Sequence, residues 1–306
     1  MTEHSLTDRI YPSKLLLFGE HTVNTGSQAL AMPLELYRGQ WCKGDDAAHP
    51  SRPYLEQTLD YLEQLQKKDQ LLVAYDLAGF RQMLHDGLHF DSNIPIGYGL
   101  GSSGALTAGI YDAFCVQKSD DDLAALKKQL AQIESLFHGE SSGTDPLVSF
   151  LQQGVYIESR SELGPVNIPT STSAKAGLFL LNTGQPRRAD HFIQLYFEQC
   201  EAAWFQQRVA AELVPCNDHA IDAFLKADWA ALFELMHQIS LFQYRYFEAF
   251  IPEALRPIWL KGLAGDQFKL KICGAGGGGF MMGVCRDFTK VESEVVDFEL
   301  TQVFGF

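Results

Sequence analysis

Glycines at three alternate positions, Gly97, Gly99 and Gly101, run directly into two serines in the stretch Pro95-Ile96-Gly97-Tyr98-Gly99-Leu100-Gly101-Ser102-Ser103-Gly104-Ala105. Without a Cβ, such a backbone can turn tightly and come close to a ligand. Residues 105–116 then place Leu106, Ile110 and Phe114 at helical spacing with small residues between them, the pattern of a helix packed on a sheet. A helix start presents N–H groups without helical partners and the positive end of the dipole, so it suits an anion such as a phosphate. The Ser103 hydroxyl stands where it could reach a metal ion carried by the phosphates. The plainer reading is a glycine-rich turn ahead of a core helix, and the segment alone does not separate the two. No lysine precedes the serines, so the segment is not GxxxxGK[ST]. Gly99, Gly101 and Gly104 satisfy GxGxxG, but Asp91-Ser92-Asn93-Ile94-Pro95 is polar where a dinucleotide fold needs a buried strand.

A phosphate site needs positive charge, and the chain as a whole has little to spare. Its 306 residues carry a formal net charge of −14, which argues against nucleic acid and anionic membranes as partners. An anionic substrate must therefore meet a local cluster of cations or a metal. The length suits two domains. No apolar run approaches bilayer length, residues 1–9 lack the apolar core of a signal peptide, and the six cysteines include no CxxC pair. These features fit reduced thiols in a cytoplasmic protein.

Along the chain, residues 14–18 read as a buried strand, residues 44–54 as a loop, and residues 54–66 and 77–88 as helices. Residues 120–137 form the clearest helix. Leu123, Leu126, Leu130, Ile133 and Phe137 share a stripe behind the acidic start Asp120-Asp121-Asp122. Glu134 flanks that stripe. Alone it reads as an exposed residue; if shielded, it calls for a cation partner. Asp145 precedes Pro146 and is biased toward an extended conformation. Residues 154–158 read as a strand, 163–174 as a linker, and 177–184 as a strand and turn. Helices are expected over 187–212, 218–225, 229–250 and 252–263. Strands 268–273 and 280–285 flank Gly274-Ala275-Gly276-Gly277-Gly278-Gly279. Five glycines in six residues cost entropy, and the economical reason is a backbone that must approach something closely.

Three segments stand in order: residues 11–21 (Tyr-Pro-Ser-Lys-Leu-Leu-Leu-Phe-Gly-Glu-His), residues 99–103 and residues 274–279. Together they resemble the three signature motifs of the GHMP kinase superfamily, and most closely those of mevalonate kinases. His138-Gly139, Ser142-Gly143 and Asp145 are similar to that family's HGxxSGxD segment, with Glu134 eleven positions before Asp145. The resemblance implies an α+β fold of two domains: a ribosomal-protein-S5-like domain over residues 1–165 and a ferredoxin-like domain over residues 166–306, with ATP in a cleft between them. It implies Asp145 as catalytic base and Lys14 beside it, Ser103 and Glu134 on Mg²⁺, and Glu20, His21, Arg187 and Gly277 at the acceptor, with Arg187 placed to pair a substrate carboxylate. Gly97, Gly99, Leu100, Gly101, Ser102, Ser103 and Gly104 would wrap ATP, with Gly276 and Gly277 shaping the cleft.

The implied activity is ATP-dependent phosphorylation of a small-molecule hydroxyl, with mevalonate as acceptor in isoprenoid biosynthesis, by a monomer or homodimer. The alternatives are a sibling kinase for phosphomevalonate, a sugar or homoserine, diphosphomevalonate decarboxylase, and a non-catalytic sensor on the same fold. Three departures bear on these readings. Ser13 replaces a glycine, Gly104 replaces an alanine, and Ala189 stands where the family keeps a threonine that contacts substrate.

Overall fold

The computed structural model describes residues 8–44, 48–118, 122–159, 162–169, 175–187 and 189–306, without the side chains of Asn24, His138 and Ala189. The chain divides into two units. The first holds the chain up to Lys14, Pro33–Pro95 and Leu100–Gln153; the second holds Leu15–Met32, Ile96–Gly99 and Gly154–Phe306. Both are discontinuous, unlike a linear division at residue 165. The reason lies in two strands, β1 (Ile10–Phe18) and β2 (Ala29–Lys43), that run on from one unit into the other. Residues 39–43 of β2 pair within the first unit and residues 29–31 within the second, so the boundary falls inside a stiff strand.

In the first unit, α1 (Arg52–Lys67) and α2 (Leu77–His85) precede β3 (Leu88–Ser92), which pairs antiparallel with β2. Helices α3 (Ser102–Phe114), α4 (Leu123–His138) and α5 (Thr144–Leu151) follow. Helix α4 begins at the cap Asp122, whose side chain accepts from the Ala125 amide; the expected acidic start at Asp120 and Asp121 lies outside the described residues. In the second unit, β4 (Gly154–Ile157) pairs with β2 and with β5 (Leu163–Val166). Thus the expected linker over 163–174 begins as a strand, with Pro165 tolerated because β5 ends the strand order. Residues 170–174 lie outside the described residues.

The remainder of the second unit reads β6 (Gly177–Asn182), α6 (Ala189–Cys200), α7 (Ala203–Arg208), α8 (Val214–Leu225), α9 (Trp229–Tyr246), α10 (Arg256–Ala264), β7 (Phe268–Ile272), β8 (Phe280–Cys285), α11 (Phe288–Glu294) and β9 (Glu299–Gly305). The sheet order is β7-β8-β6-β9 with every pair antiparallel. This is the split βαββαβ arrangement of the ferredoxin-like fold, as the resemblance implied. Strand β6 is apolar along almost its whole length because it lies between β8 and β9 with both faces covered. Strands β2, β3 and β9 and helix α11 were not legible in the sequence. Among the described residues, no helix is long and apolar enough to cross a membrane.

Helix α3 is buried over most of its length, and its small residues allow close packing. A Cβ at Gly109 would lie 2.9 Å from the Phe90 ring, and the Trp41 indole N–H donates to the Gly109 carbonyl (3.2 Å). Near the end of α3, Asp112 is buried and receives three donors. They are the Tyr11 hydroxyl (2.8 Å), the Arg9 guanidinium (2.9 Å) and the Lys118 ammonium (2.5 Å). These bonds tie the start of β1 to α3, three residues before Lys14. Removing one partner of a buried ion pair leaves its other members unmatched; with two partly exposed cations here, Asp112→Ala is expected to cost about 2–3 kcal/mol. A chemical-denaturation midpoint unchanged from wild type would refute that role.

Candidate active site

Helix α3 can begin at Ser102 because Gly101 takes the left-handed conformation (φ +73°), where a Cβ would be strained. The first helical bond runs from the Ala105 N–H to the Gly101 carbonyl (2.9 Å), and no side chain caps the turn. The amides of residues 102–104 therefore precede the helical ladder at its positive end, where anions bind. Leu100 is buried, and its carbonyl accepts from the Lys14 amide (2.9 Å), which holds that lysine beside the loop.

The Lys14 ammonium stands 2.7 Å from the Asp145 carboxylate. Lys14 is nearly buried, whereas the Asp145 side chain is 31% exposed and so reachable by a substrate. Asp145 lies in the first turn of α5, not in the extended conformation expected ahead of Pro146. Gly143 opens this helix from the left-handed region (φ +73°), and the proline falls in the first turn, where no helical N–H is lost. Helices α3 and α5 meet so closely that a Cβ at Gly104 would lie 2.8 Å from the Asp145 Cβ. An alanine does not fit at that spacing.

Glu134 is buried on α4. Two hydroxyls contact it: Ser103 donates to Oε1 (3.2 Å) and Ser141 to Oε2. Ser141 in turn accepts from the Gly143 amide (2.9 Å). Burial first, and then the nearby Asp145 charge, push the Glu134 carboxyl up to about 7; the two hydroxyls and Lys14 oppose this. Ser141 was missed in the sequence because a serine in a polar loop carries no signal of its own.

A separate group forms in the second unit. Gly19 (φ +102°) approaches Ala29 so closely that a Cβ would stand 2.5 Å from the alanine methyl, and His21 follows with φ +63°. The His21 Nε2 lies 3.1 Å from the Ala275 carbonyl, which can only accept, so Nε2 carries the hydrogen and Nδ1 the lone pair. The ring stacks on Tyr196 and meets Phe247 and Phe250 edge-on. Burial, together with Arg187 and Lys271, lowers its pKa to about 4, against a smaller opposing effect of the Ala275 carbonyl.

The Glu20 carboxylate is buried against the equally buried Lys271, which also donates to the Ile272 carbonyl. Lys271 escaped notice because Phe-Lys-Leu-Lys-Ile in β7 reads as an alternating strand with its lysines in water. Both lysines are in fact buried, and Lys269 caps the carbonyls of Gly262 and Gly265 at the end of α10.

The third glycine loop does approach something closely, and what it meets is protein. Cβ atoms at Gly276 and Gly277 would strike the Phe250 backbone and the Phe192 ring. Gly277 also borders a cavity of 540 Å³ lined by Gln185, Pro252, Glu253 and Ala254. Arg187, expected at a substrate carboxylate, donates to main-chain carbonyls of this loop. Thus Lys14, Leu100, Gly101, Ser102, Ser103, Gly104, Glu134 and Asp145 gather in the first unit, and Glu20, His21, Gly97, Gly99, Arg187, Gly276 and Gly277 belong to the second.

Residues 55–153, which carry α3, Glu134 and Asp145, match the GHMP kinases N terminal domain. A mevalonate kinase of Archaeoglobus fulgidus is 28% identical over 295 residues, spanning 94% of this chain and 95% of that protein. Residues 55–153 thus carry a GHMP kinases N terminal domain, and the chain is similar to a mevalonate kinase along nearly its whole length. Its fold is shared with Leishmania major mevalonate kinase in complex with R-mevalonate (TM-score 0.62, 15% identity, 94% of this chain and 89% of that one). It is shared too with Streptococcus pneumoniae phosphomevalonate kinase in complex with phosphomevalonate and AMPPNP (TM-score 0.66, 14% identity, 96% and 99% coverage). GHMP kinases are small-molecule kinases that use ATP.

With a raised carboxyl pKa, native Glu134 holds its proton more tightly than the unfolded chain does. In metal-free buffer this group therefore withdraws stability as pH rises from about 4.5 through about 7. Glu134→Gln is expected to be more stable than wild type at pH 8, by on the order of 2–3 kcal/mol, and equal to it at pH 4. Melting temperatures of the two proteins across that range, without divalent cations, measure the difference. Parallel curves would contradict the assignment.

Proposed function

We propose that this protein transfers the γ-phosphoryl group of ATP to the primary hydroxyl of mevalonate, with Asp145 as base. The observation that carries this reading is the Lys14–Asp145 pair beside the uncapped start of α3. Phosphoryl transfer asks a protein mainly for positioning and charge neutralisation. The amides at residues 102–104 suit the phosphates of the nucleotide. Lys14 supplies a positive charge next to the carboxylate that receives the alcohol hydrogen, and it fixes that carboxylate in place. Asp145 is exposed enough to accept a hydrogen bond from the acceptor and to take its proton as the new P–O bond forms.

The donor set around Glu134 fits a divalent cation. Among the described residues Glu134 is bonded to hydroxyls, and the one nearby cation, Lys14, is paired with the second carboxylate, Asp145; Mg²⁺ takes one or two protein oxygens together with phosphates. Ser103 and Glu134 would hold it, and bound Mg²⁺ would neutralise charge on the phosphates. Ser141 keeps the Glu134 carboxylate oriented. At the acceptor, His21 is neutral above about pH 4, and its Nδ1 lone pair can accept from a substrate hydroxyl. The near full-length likeness to an archaeal mevalonate kinase supports mevalonate as that acceptor.

Coupled ADP release against mevalonate, phosphomevalonate, homoserine and galactose tests the acceptor; turnover of another alcohol in preference to mevalonate would overturn it. Asp145→Asn is expected to bind ATP normally and to lower kcat by about 10²- to 10⁴-fold, the range for a lost general base. A kcat within threefold of wild type would remove Asp145 from the mechanism. Ser103→Ala is expected to raise the Mg²⁺ concentration needed for half-maximal rate; an unchanged requirement would exclude Ser103 as a ligand.

A further inference from the structure

Segment 183–187 threads between two glycine-rich stretches of the second unit and is bonded to both. Thr183 donates through its amide (3.0 Å) and its hydroxyl (2.7 Å) to the Gly279 carbonyl, and the Gly279 amide donates to Gln185 (2.7 Å). The Arg187 amide donates to the Gly97 carbonyl (2.9 Å). The Arg187 Nη1 donates to the carbonyls of Cys273 (2.7 Å), Gly278 (3.2 Å) and Gly276 (3.5 Å). Its Nη2 fills the space that a side chain would need at Gly99 and Gly274, where Cβ atoms would come to 1.8 and 2.4 Å of it.

Gly99 and Gly274 are therefore glycines because a guanidinium lies against them. The carbonyl dipoles turned toward one another at Cys273, Gly276 and Gly278 need a cation among them. Backbones this rich in glycine, with φ positive at Gly97, Gly99, Gly274, Gly276 and Gly278, do not hold a single shape without an external tie. A guanidinium presents its donors in a fixed planar fork that spans several acceptors and two neighbouring backbones, whereas an ammonium is a compact point on a flexible stem.

We infer that Arg187 is a positioning residue for the nucleoside triphosphate. It locks the Ile96–Gly99 arm of the phosphate loop to the third glycine loop, and it does not grip the carboxylate of the acceptor. The inference rests on the kinase reading above. It makes a split between substrates the decisive observation, because an acceptor-binding arginine and a nucleotide-positioning arginine affect different Michaelis constants.

The test compares Arg187→Lys with wild type in two assays: KM for ATP and for the acceptor measured separately, and the rise in melting temperature caused by AMPPNP with no acceptor present. The expected result is a KM for ATP raised at least tenfold, a KM for the acceptor changed less than threefold, and loss of most of the AMPPNP-induced rise. A raised acceptor KM with ATP unaffected would return Arg187 to the carboxylate and overturn the inference. So would equal rises in both constants, or a lower melting temperature with a normal AMPPNP response, which would mark a purely structural strut.

If wild type phosphorylates none of the alcohols tested, the acceptor reading fails on its own, and the AMPPNP response still decides here. A response present in wild type and lost in R187K supports the inference; a response retained in R187K, or absent from wild type, defeats it. Should R187K not fold, Gly274→Ala, whose Cβ would come to 2.4 Å of the same Nη2 from outside the phosphate loop, displaces the guanidinium and is read in the same way.

Discussion

The distance between α3 and α5 governs the chemistry of the first unit. A Cβ at Gly104 would lie 2.8 Å from the Asp145 Cβ, and one at Gly101 would lie 3.3 Å from an Asp145 carboxylate oxygen. That contact sets where the carboxylate stands relative to the α3 amides. Lys14 reaches it because its own amide is bonded to Leu100 at the loop, and because Asp112, deeper along α3, ties the start of β1 to the same helix. The ion pair, the anion-binding turn and the buried glutamate thus depend on one helix being lined with residues small enough to let its neighbours in.

Positive φ and missing Cβ atoms are usually taken as room for a ligand. Here they divide into two kinds. Gly101 needs its left-handed geometry to start a helix, as Gly143 does to start α5 while passing 2.2 Å, by Cβ position, from the Lys127 carbonyl. Gly99, Gly274, Gly276 and Gly277 make room for protein groups, namely an arginine and two phenylalanines. A glycine-rich loop can therefore be rigid when its emptiness is filled from behind, and a rigid loop is what a polyphosphate ligand needs in order to be positioned without a large ordering cost.

Buried charge is handled locally throughout a chain whose net charge is strongly negative. Asp112 takes three donors, Lys271 takes Glu20, Lys269 takes the carbonyls at a helix end, and Arg187 takes the carbonyls of a loop. Glu134 stands apart from these, with hydroxyls for partners and a second carboxylate in range. A carboxylate left short of positive charge in this way is the electrostatic complement of a cation that arrives with its own anionic ligand.

Much of the outline was present in the sequence alone. Apolar periodicity marked α1, α3, α4 and the central strands β6 and β8, because these elements bury one face or both and so repeat hydrophobic residues at the helical or strand period. The three glycine motifs, with Lys14, Ser103, Glu134 and Asp145 at their offsets, carried the resemblance on which the proposed chemistry rests, because phosphoryl transfer restricts which residues can serve. Tertiary structure decided what local pattern cannot encode. It buried Lys269 and Lys271 in a strand whose alternation looked amphipathic, Lys269 against carbonyls at the end of the preceding helix and Lys271 against Glu20, 251 residues away in the chain. It coiled Asp145 into a helix against the bias of the proline after it, and it set the hydroxyls of Ser103 and Ser141 against Glu134. It also turned Arg187 onto main-chain carbonyls, a role set by backbone oxygens that every sequence has and no sequence displays.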